Sequence, residues 1–184
     1  MKTKKIRKRF ELADYLEEEK FLQVQHKKGW RMVNLKLGFS TYIFEECEPD
    51  DYAYQLDFKQ QEKDLEEYLQ LFEDCGWEHF YKLGNWYYFR KKKSEIPEEN
   101  VIFNDAPTRA EMAKKVVRFQ GMISFIALFP LFYIVPILLN RGEGRSNVLL
   151  ALLSIYGVIM VVLTGSQLRN FWKLNQIIKR EEQI

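Results

Sequence analysis

Glu17–Trp30 reads EEEKFLQVQHKKGW, and Asp64–Trp77 reads DLEEYLQLFEDCGW. At an offset of 47, Glu19 aligns with Glu66, Leu22 with Leu69, Gln23 with Gln70, and Gly29-Trp30 with Gly76-Trp77. One residue is then lost, so that Leu37-Gly38 meets Leu83-Gly84 and Tyr42 meets Tyr88. Upstream, Phe10-Glu11-Leu12 aligns with Leu56-Asp57-Phe58. Ordered self-similarity of this kind marks an internal duplication.

Each copy reads strand, helix, strand, strand. In the second copy, Tyr52, Tyr54, Leu56 and Phe58 alternate with Ala53, Gln55 and Asp57, which is the period of a half-buried strand. Leu65, Tyr68, Leu69 and Phe72 then fall at i, i+3, i+4 and i+7, an apolar helical stripe over about Asp64–Cys75. Gly76 stands where a helix end needs a positive φ. Strands follow at about Trp77–Leu83 and Trp86–Lys91, turning at Gly84-Asn85. The first copy gives a strand near Lys4–Leu12 and a helix near Asp14–Lys28 that Gly29 ends. Two further strands, near Arg31–Leu37 and Thr41–Glu46, turn at Gly38. The expected fold is α+β: tandem βαββ units sharing one six-stranded antiparallel sheet, with both helices on one face. Gly29, Trp30, Gly76 and Trp77 are its expected structural joints.

Beyond the repeats the composition changes. Residues 119–140, FQGMISFIALFPLFYIVPILLN, and 146–168, SNVLLALLSIYGVIMVVLTGSQL, carry no charge. At about 1.5 Å per residue each run spans roughly the thickness of a bilayer core, so a two-helix transmembrane hairpin is expected. Pro130 and Pro136 would kink its first helix. Arg109, Lys114, Lys115 and Arg118 precede the hairpin and Arg169, Lys173, Lys179 and Arg180 follow it, while the turn holds only Arg141 and Arg145. That asymmetry predicts a two-pass cell-membrane protein with both termini cytoplasmic and the bilayer as a partner. The expected divisions are a duplicated domain 1–93, a linker 94–107 and a helical stalk 108–118. Membrane helices 119–140 and 146–168 flank an external turn 141–145. An amphipathic tail 169–184 ends the chain. Thr108-Arg109-Ala110-Glu111 fits a capping box for the stalk.

Charge and motifs narrow the function. Residues 1–96 hold 18 Lys+Arg and 19 Asp+Glu, and this balance argues against a nucleic-acid partner. Cys47 and Cys75 fit neither a zinc site nor a disulfide framework. MKTKKIRKRF has no apolar segment behind it, so no cleavable signal is expected. GxSxG, HExxH, P-loop and GxGxxG motifs are absent, so neither catalysis nor a cofactor is expected. His26 and His79 stand at non-equivalent places in the copies and read as surface or structural residues. Glu45, Glu46, Glu48, Asp50 and Asp51 surround Pro49 and read as a solvated loop between the repeats rather than a metal site. The aromatic set is Trp30, Tyr42, Tyr52, Tyr54, Trp77, Tyr81, Trp86, Tyr87 and Tyr88. One face of the sheet packs on the helices. The other, with Tyr54, Trp86 and Tyr88, is the candidate site for a small molecule or partner protein.

The KKGW, EPDDYAYQLDF, LFEDCGWEHFYKLGNWYYFRK and IFNDAPTRAEMAKK segments ahead of two apolar runs resemble the bacterial membrane family called domain of unknown function 2812, over about Phe10–Lys115. The resemblance implies a membrane protein of Firmicute-type bacteria, encoded near PadR-type regulators, with no established catalytic residues. Gln25-His26 depart from that family's usual apolar residues. The tandem βαββ order is also similar to gyrase-inhibitor-like effector-binding domains, which implies a cleft between repeats for small cationic or aromatic molecules. The expected function is a membrane-anchored cytoplasmic binding or sensing module. The alternative is a structural or accessory subunit of a membrane complex, and an enzyme is the weakest reading. An aromatic cleft between the repeats holding one carboxylate would favour the binding module.

Overall fold

The same strand order occurs twice. In the computed structural model, which describes residues 2–36, 40–60, 64–95, 111–123, 125–126 and 147–181, the first repeat consists of β1 (Thr3–Arg7), α1 (Tyr15–Lys27), β2 (Trp30–Lys36) and β3 (Thr41–Glu46). The second consists of β4 (Tyr52–Phe58), α2 (Leu65–Asp74), β5 (Glu78–Leu83) and β6 (Trp86–Lys92). Two antiparallel sheets result, ordered β1-β3-β2 and β4-β6-β5. The expected Gly38 turn lies outside the described residues.

The expected register of the first strand is corrected. Thr3 faces Glu45 in the first sheet, and Ala53 faces Lys91 in the second. With Tyr42 equivalent to Tyr88, Glu45 matches Lys91, so Ile6 rather than Phe10 matches Leu56. The strand ends at Arg7, and Phe10 instead packs its ring 5.6 Å from Phe21 and 6.0 Å from Tyr42.

The single six-stranded sheet is also corrected, since there are two sheets of three. β2 and β5, the edges that approach each other, both carry an irregularity in their pairing, between Met32 and Asn34 and between His79 and Tyr81. Such bulges add local twist and interrupt the run of backbone groups that a neighbouring strand needs. In place of a ladder, the Tyr81 hydroxyl lies 3.3 Å from the Leu35 amide and 3.2 Å from its carbonyl.

The helices therefore do not share one face. α2 covers one side of the second sheet, where Leu65, Tyr68 and Leu69 surround buried Phe72, Tyr87 and Phe89. Phe72 stacks on Phe89 with ring centres 3.8 Å apart. The opposite side carries Tyr54, Leu56, Phe58, Trp86 and Tyr88, all buried. Its cover is α1, which also packs on its own sheet through Phe21 against Tyr42 and Phe44. Trp86, Tyr87, Tyr88 and Phe89 are thus buried on both sides of β6.

The chain divides into two units, Met1–Met112 and Ala113–Ile184. The second contains most of α3 (111–123) and all of α4 (Asn147–Glu181). Ala113, Val116 and Gln120 of α3 and Asn170 and Leu174 of α4 are buried. Val117, Gln120 and Gly121 share a groove with Thr164, Gln167, Leu168 and Phe171.

Among the described residues, no helix is long and apolar enough to cross a membrane. This overturns the expected transmembrane hairpin and the two-pass cell-membrane location with cytoplasmic termini. α4 does not stop at Leu168 but continues through Arg169, Lys173 and Lys179 to Glu181. Over its described side chains, Ser154, Thr164, Ser166, Gln167 and Asn170 dilute the apolar run. Of the first run, residue 124 and residues 127–140 lie outside the described residues, as do Pro130, Pro136, the turn 141–145, the start of the stalk at Thr108 and most of the linker.

Candidate functional site

α1 is a helix with a polar buried face. Tyr15, Glu18, Leu22, Gln25 and His26 recur at helical spacing, and all five are buried. A helix packed on one sheet would carry apolar residues at these positions, as α2 does. α1 instead meets polar groups from both repeats.

Glu18, 7% exposed, is the centre of this arrangement. The hydroxyl of Tyr42, from β3, donates to its Oε1 at 2.7 Å. The hydroxyl of Tyr88, from β6, donates to the same oxygen at 2.9 Å. These tyrosines occupy equivalent positions in the two repeats. The residue equivalent to Glu18 at the helix offset is Leu65, so only one copy supplies a carboxylate. Burial raises the Glu18 pKa, the two hydroxyl hydrogen bonds oppose that rise, and Asp14 adds to it. Burial first, and Glu18 second, raise the pKa of both tyrosines, which keeps them protonated donors. Among the described residues Glu18 forms no ion pair.

His26 lies two turns further along α1. Its Nδ1 is 2.7 Å from the Tyr54 hydroxyl, and its ring stacks on Tyr52 at 4.2 Å. Burial, and then the Arg90 charge, lower its pKa to about 4, so the ring is neutral at neutral pH. Arg90 makes two hydrogen bonds to Glu78, at 2.6 and 2.7 Å. Burial works against the Arg90 charge, but Glu78 outweighs it and the pKa rises. The rest of the helix is tied down in the same way. Glu19 accepts from the Leu56 amide at 2.8 Å, Gln25 from Lys4 at 3.2 Å, and Gln23 donates to Asp51 at 3.1 Å.

Of the residues singled out from the sequence, Tyr54, Trp86 and Tyr88 are 6%, 8% and 2% exposed. α1 covers them. Tyr54 and Tyr88 each bond to a polar side chain of α1, and Trp86 packs between Tyr15 and Phe58 at 5.8 and 5.2 Å. Gly29 and Gly76 have φ of +80° and +78°. Trp77 packs on the α2 cluster, and Trp30 lies 5.4 Å from the Lys4 ammonium. His79 contacts Tyr87 and Phe89, away from α1. Asp50 and Asp51 pair with Lys92 and Lys27 at 2.7 and 2.9 Å. Among the described residues no group of acidic, histidine or cysteine side chains could hold a metal ion.

Glu18 is not among the residues singled out from the sequence, and His26 takes the structural one of its two expected roles, surface or structural. The available signal was their spacing: Glu18, Gln25 and His26 share a helical face with Tyr15 and Leu22. Chemically, the site is a desolvated carboxylate that, among the described residues, accepts from two neutral tyrosine hydroxyls and forms no ion pair. Such a group gains most from a cation.

No curated protein matches the chain, and no solved structure does. A family model described as "Protein of unknown function (DUF2812)" matches residues 14–126, which takes in α1, both sheets except β1, and α3. The match covers more than half of the sequence, and the chain belongs to this family.

Proposed function

We propose that the duplicated domain is a binding or sensing module rather than a catalyst, and that the interface between its repeats, once opened, receives apolar organic cations. The observation that carries this reading is Glu18. One buried carboxylate, without an ion pair among the described residues, is held by equivalent tyrosines of the two repeats. Aromatic faces attract cations, and the two tyrosines that hold Glu18 belong to a buried aromatic set that also includes Tyr54 and Trp86. A ligand reaches Glu18 when α1 parts from β4 and β6, so binding is coupled to the relation between the repeats. That coupling makes the module a sensor as well as a receptor.

The test uses tetraphenylphosphonium as the probe and neutral triphenylphosphine oxide as the control. Equilibrium dialysis of the full chain is expected to show binding of the cation in preference to the neutral compound. Glu18→Gln keeps a hydrogen-bond acceptor for both tyrosines and is expected to weaken the cation at least tenfold. Equal binding by Glu18→Gln, or binding of neither compound, overturns the reading.

A further inference from the structure

α4 carries two stripes with the spacing of helix-packing seams. Tyr156, Met160, Gln167, Asn170 and Leu174 lie on the half-buried to buried side that includes the α3 groove. Away from that side, Ser154, Val158, Val161, Gly165, Leu168 and Trp172 follow one another at intervals of 4, 3, 4, 3 and 4 residues, with Leu168 also at the rim of the α3 groove. That alternation keeps a seam on one side of a helix, as in coiled coils. Among the described residues nothing covers this second seam: Val158 is 65%, Val161 73%, Leu168 57% and Trp172 69% exposed. With flanking Ile155 and Val162, also exposed, it presents on the order of 700 Å² of apolar surface. That exceeds the largest patch of a typical monomer, about 300–600 Å². It approaches the roughly 800 Å² that each partner contributes to a stable interface.

We propose that two copies of this chain associate through this seam, α4 against α4 in antiparallel sense, so that two α3–α4 pairs form a four-helix arrangement. Size and charge both favour a second copy in this direction. Antiparallel pairing sets Val158 against the partner subunit's Leu168, Val161 against the partner subunit's Gly165, and Ser154 against the partner subunit's Trp172. Each large residue then meets a smaller or complementary one. Nothing lies within 4 Å of where a Cβ on Gly165 would sit, which leaves room for the incoming valine. A parallel pair would place tryptophan on tryptophan and leave a hole between two glycines. The cations of α4 all lie at or beyond Arg169. Antiparallel pairing keeps the two basic ends about 18 Å or more apart at 1.5 Å per residue, beyond the screening length of about 8–10 Å.

The test uses the full chain with Cys47→Ser and Cys75→Ser. Light scattering after gel filtration is expected to give twice the chain mass of 22.2 kDa. Mixed Val158→Cys and Leu168→Cys chains are expected to form an interchain disulfide under mild oxidation, and Trp172→Cys alone is expected to form none. Val161→Lys should give a monomer with unchanged helical circular dichroism. Gly165→Leu, which stays apolar but fills the hole, should do the same. A monomeric parent chain, a Trp172→Cys self-crosslink, or a Gly165→Leu chain that remains dimeric overturns the proposal. So does a monomer that floats with phosphatidylglycerol vesicles, or a different protein bound in place of the second copy.

Discussion

The carbonyl oxygen of Cys47 lies 3.0 Å from where a Cβ on Gly29 would sit. The equivalent glycine, Gly76, faces only the flexible side chain of Lys91, at 3.2 Å. Both glycines close a helix in the left-handed region, at φ of +80° and +78°. Their substitution therefore costs backbone strain at both sites but a backbone collision at only one.

Gly76→Val is expected to destabilise the chain by about 1–3 kcal/mol through that strain. Gly29→Val is expected to cost more, because the Cys47 carbonyl also accepts the task of lining the same joint and cannot swing away like a lysine. Urea titrations of the two variants check the order. Equal losses would show that the collision is relieved without cost.

These joints were legible in the sequence because glycine at a helix end leaves a strong local signal. The α2 stripe was legible for a similar reason, since Leu65, Tyr68, Leu69 and Phe72 all face one way. The placement of α1 was not legible. Its buried face includes Glu18, Gln25 and His26, and a polar residue in a helix looks the same from sequence whether it meets water or a partner across the fold. The separation of the sheets was equally hidden. It depends on bulges in β2 and β5 and on the Tyr81 hydroxyl, and none of these alters the alternation that defines a strand. The charge-free runs gave a clear length but did not show that α4 continues as one helix past Arg169.

Glu18→Gln separates the cost of a buried charge from the value of its hydrogen bonds. The folded-state pKa of Glu18 is raised, so its contribution is fully present below the unfolded-state value near 4.5 and is lost as pH rises through the folded-state value. The amide removes this dependence while its oxygen still accepts from Tyr42 and Tyr88. At pH 8 the variant is expected to be more stable than the parent by on the order of 1 kcal/mol. Thermal melts from pH 4 to pH 8 measure this. A variant less stable than its parent at pH 8 would show that the ionised carboxylate is itself stabilising.

Trp86→Ser and Tyr88→Ser test whether the second face of β6 is interior. Each removes a ring that α1 covers, and Tyr88→Ser also removes one donor to Glu18. Losses of about 3–5 kcal/mol per substitution are expected, as for other buried aromatic truncations. Circular dichroism with urea titration reads the effect. Retention of full stability would mean that these rings are not packed under α1.

Acid should act on the same helix through His26. Its folded-state pKa is about 4, against an unfolded value near 6.5, because the ring is buried and feels the Arg90 charge. Below pH 6.5 the unfolded chain takes up a proton that the folded chain refuses. Stability tied to neutral His26 is therefore present above pH 6.5 and is lost progressively as pH falls to about 4. A shift of this size corresponds to roughly 3 kcal/mol at most. Glu18 acts in the opposite sense, so the His26 contribution is cleanest in the Glu18→Gln background. There, His26→Gln is expected to flatten the decline in stability between pH 6.5 and pH 4, at the cost of some stability at pH 7 from the lost Tyr52 stacking. An unchanged acid slope in the double variant would assign the decline to other groups and leave His26 protonatable in place.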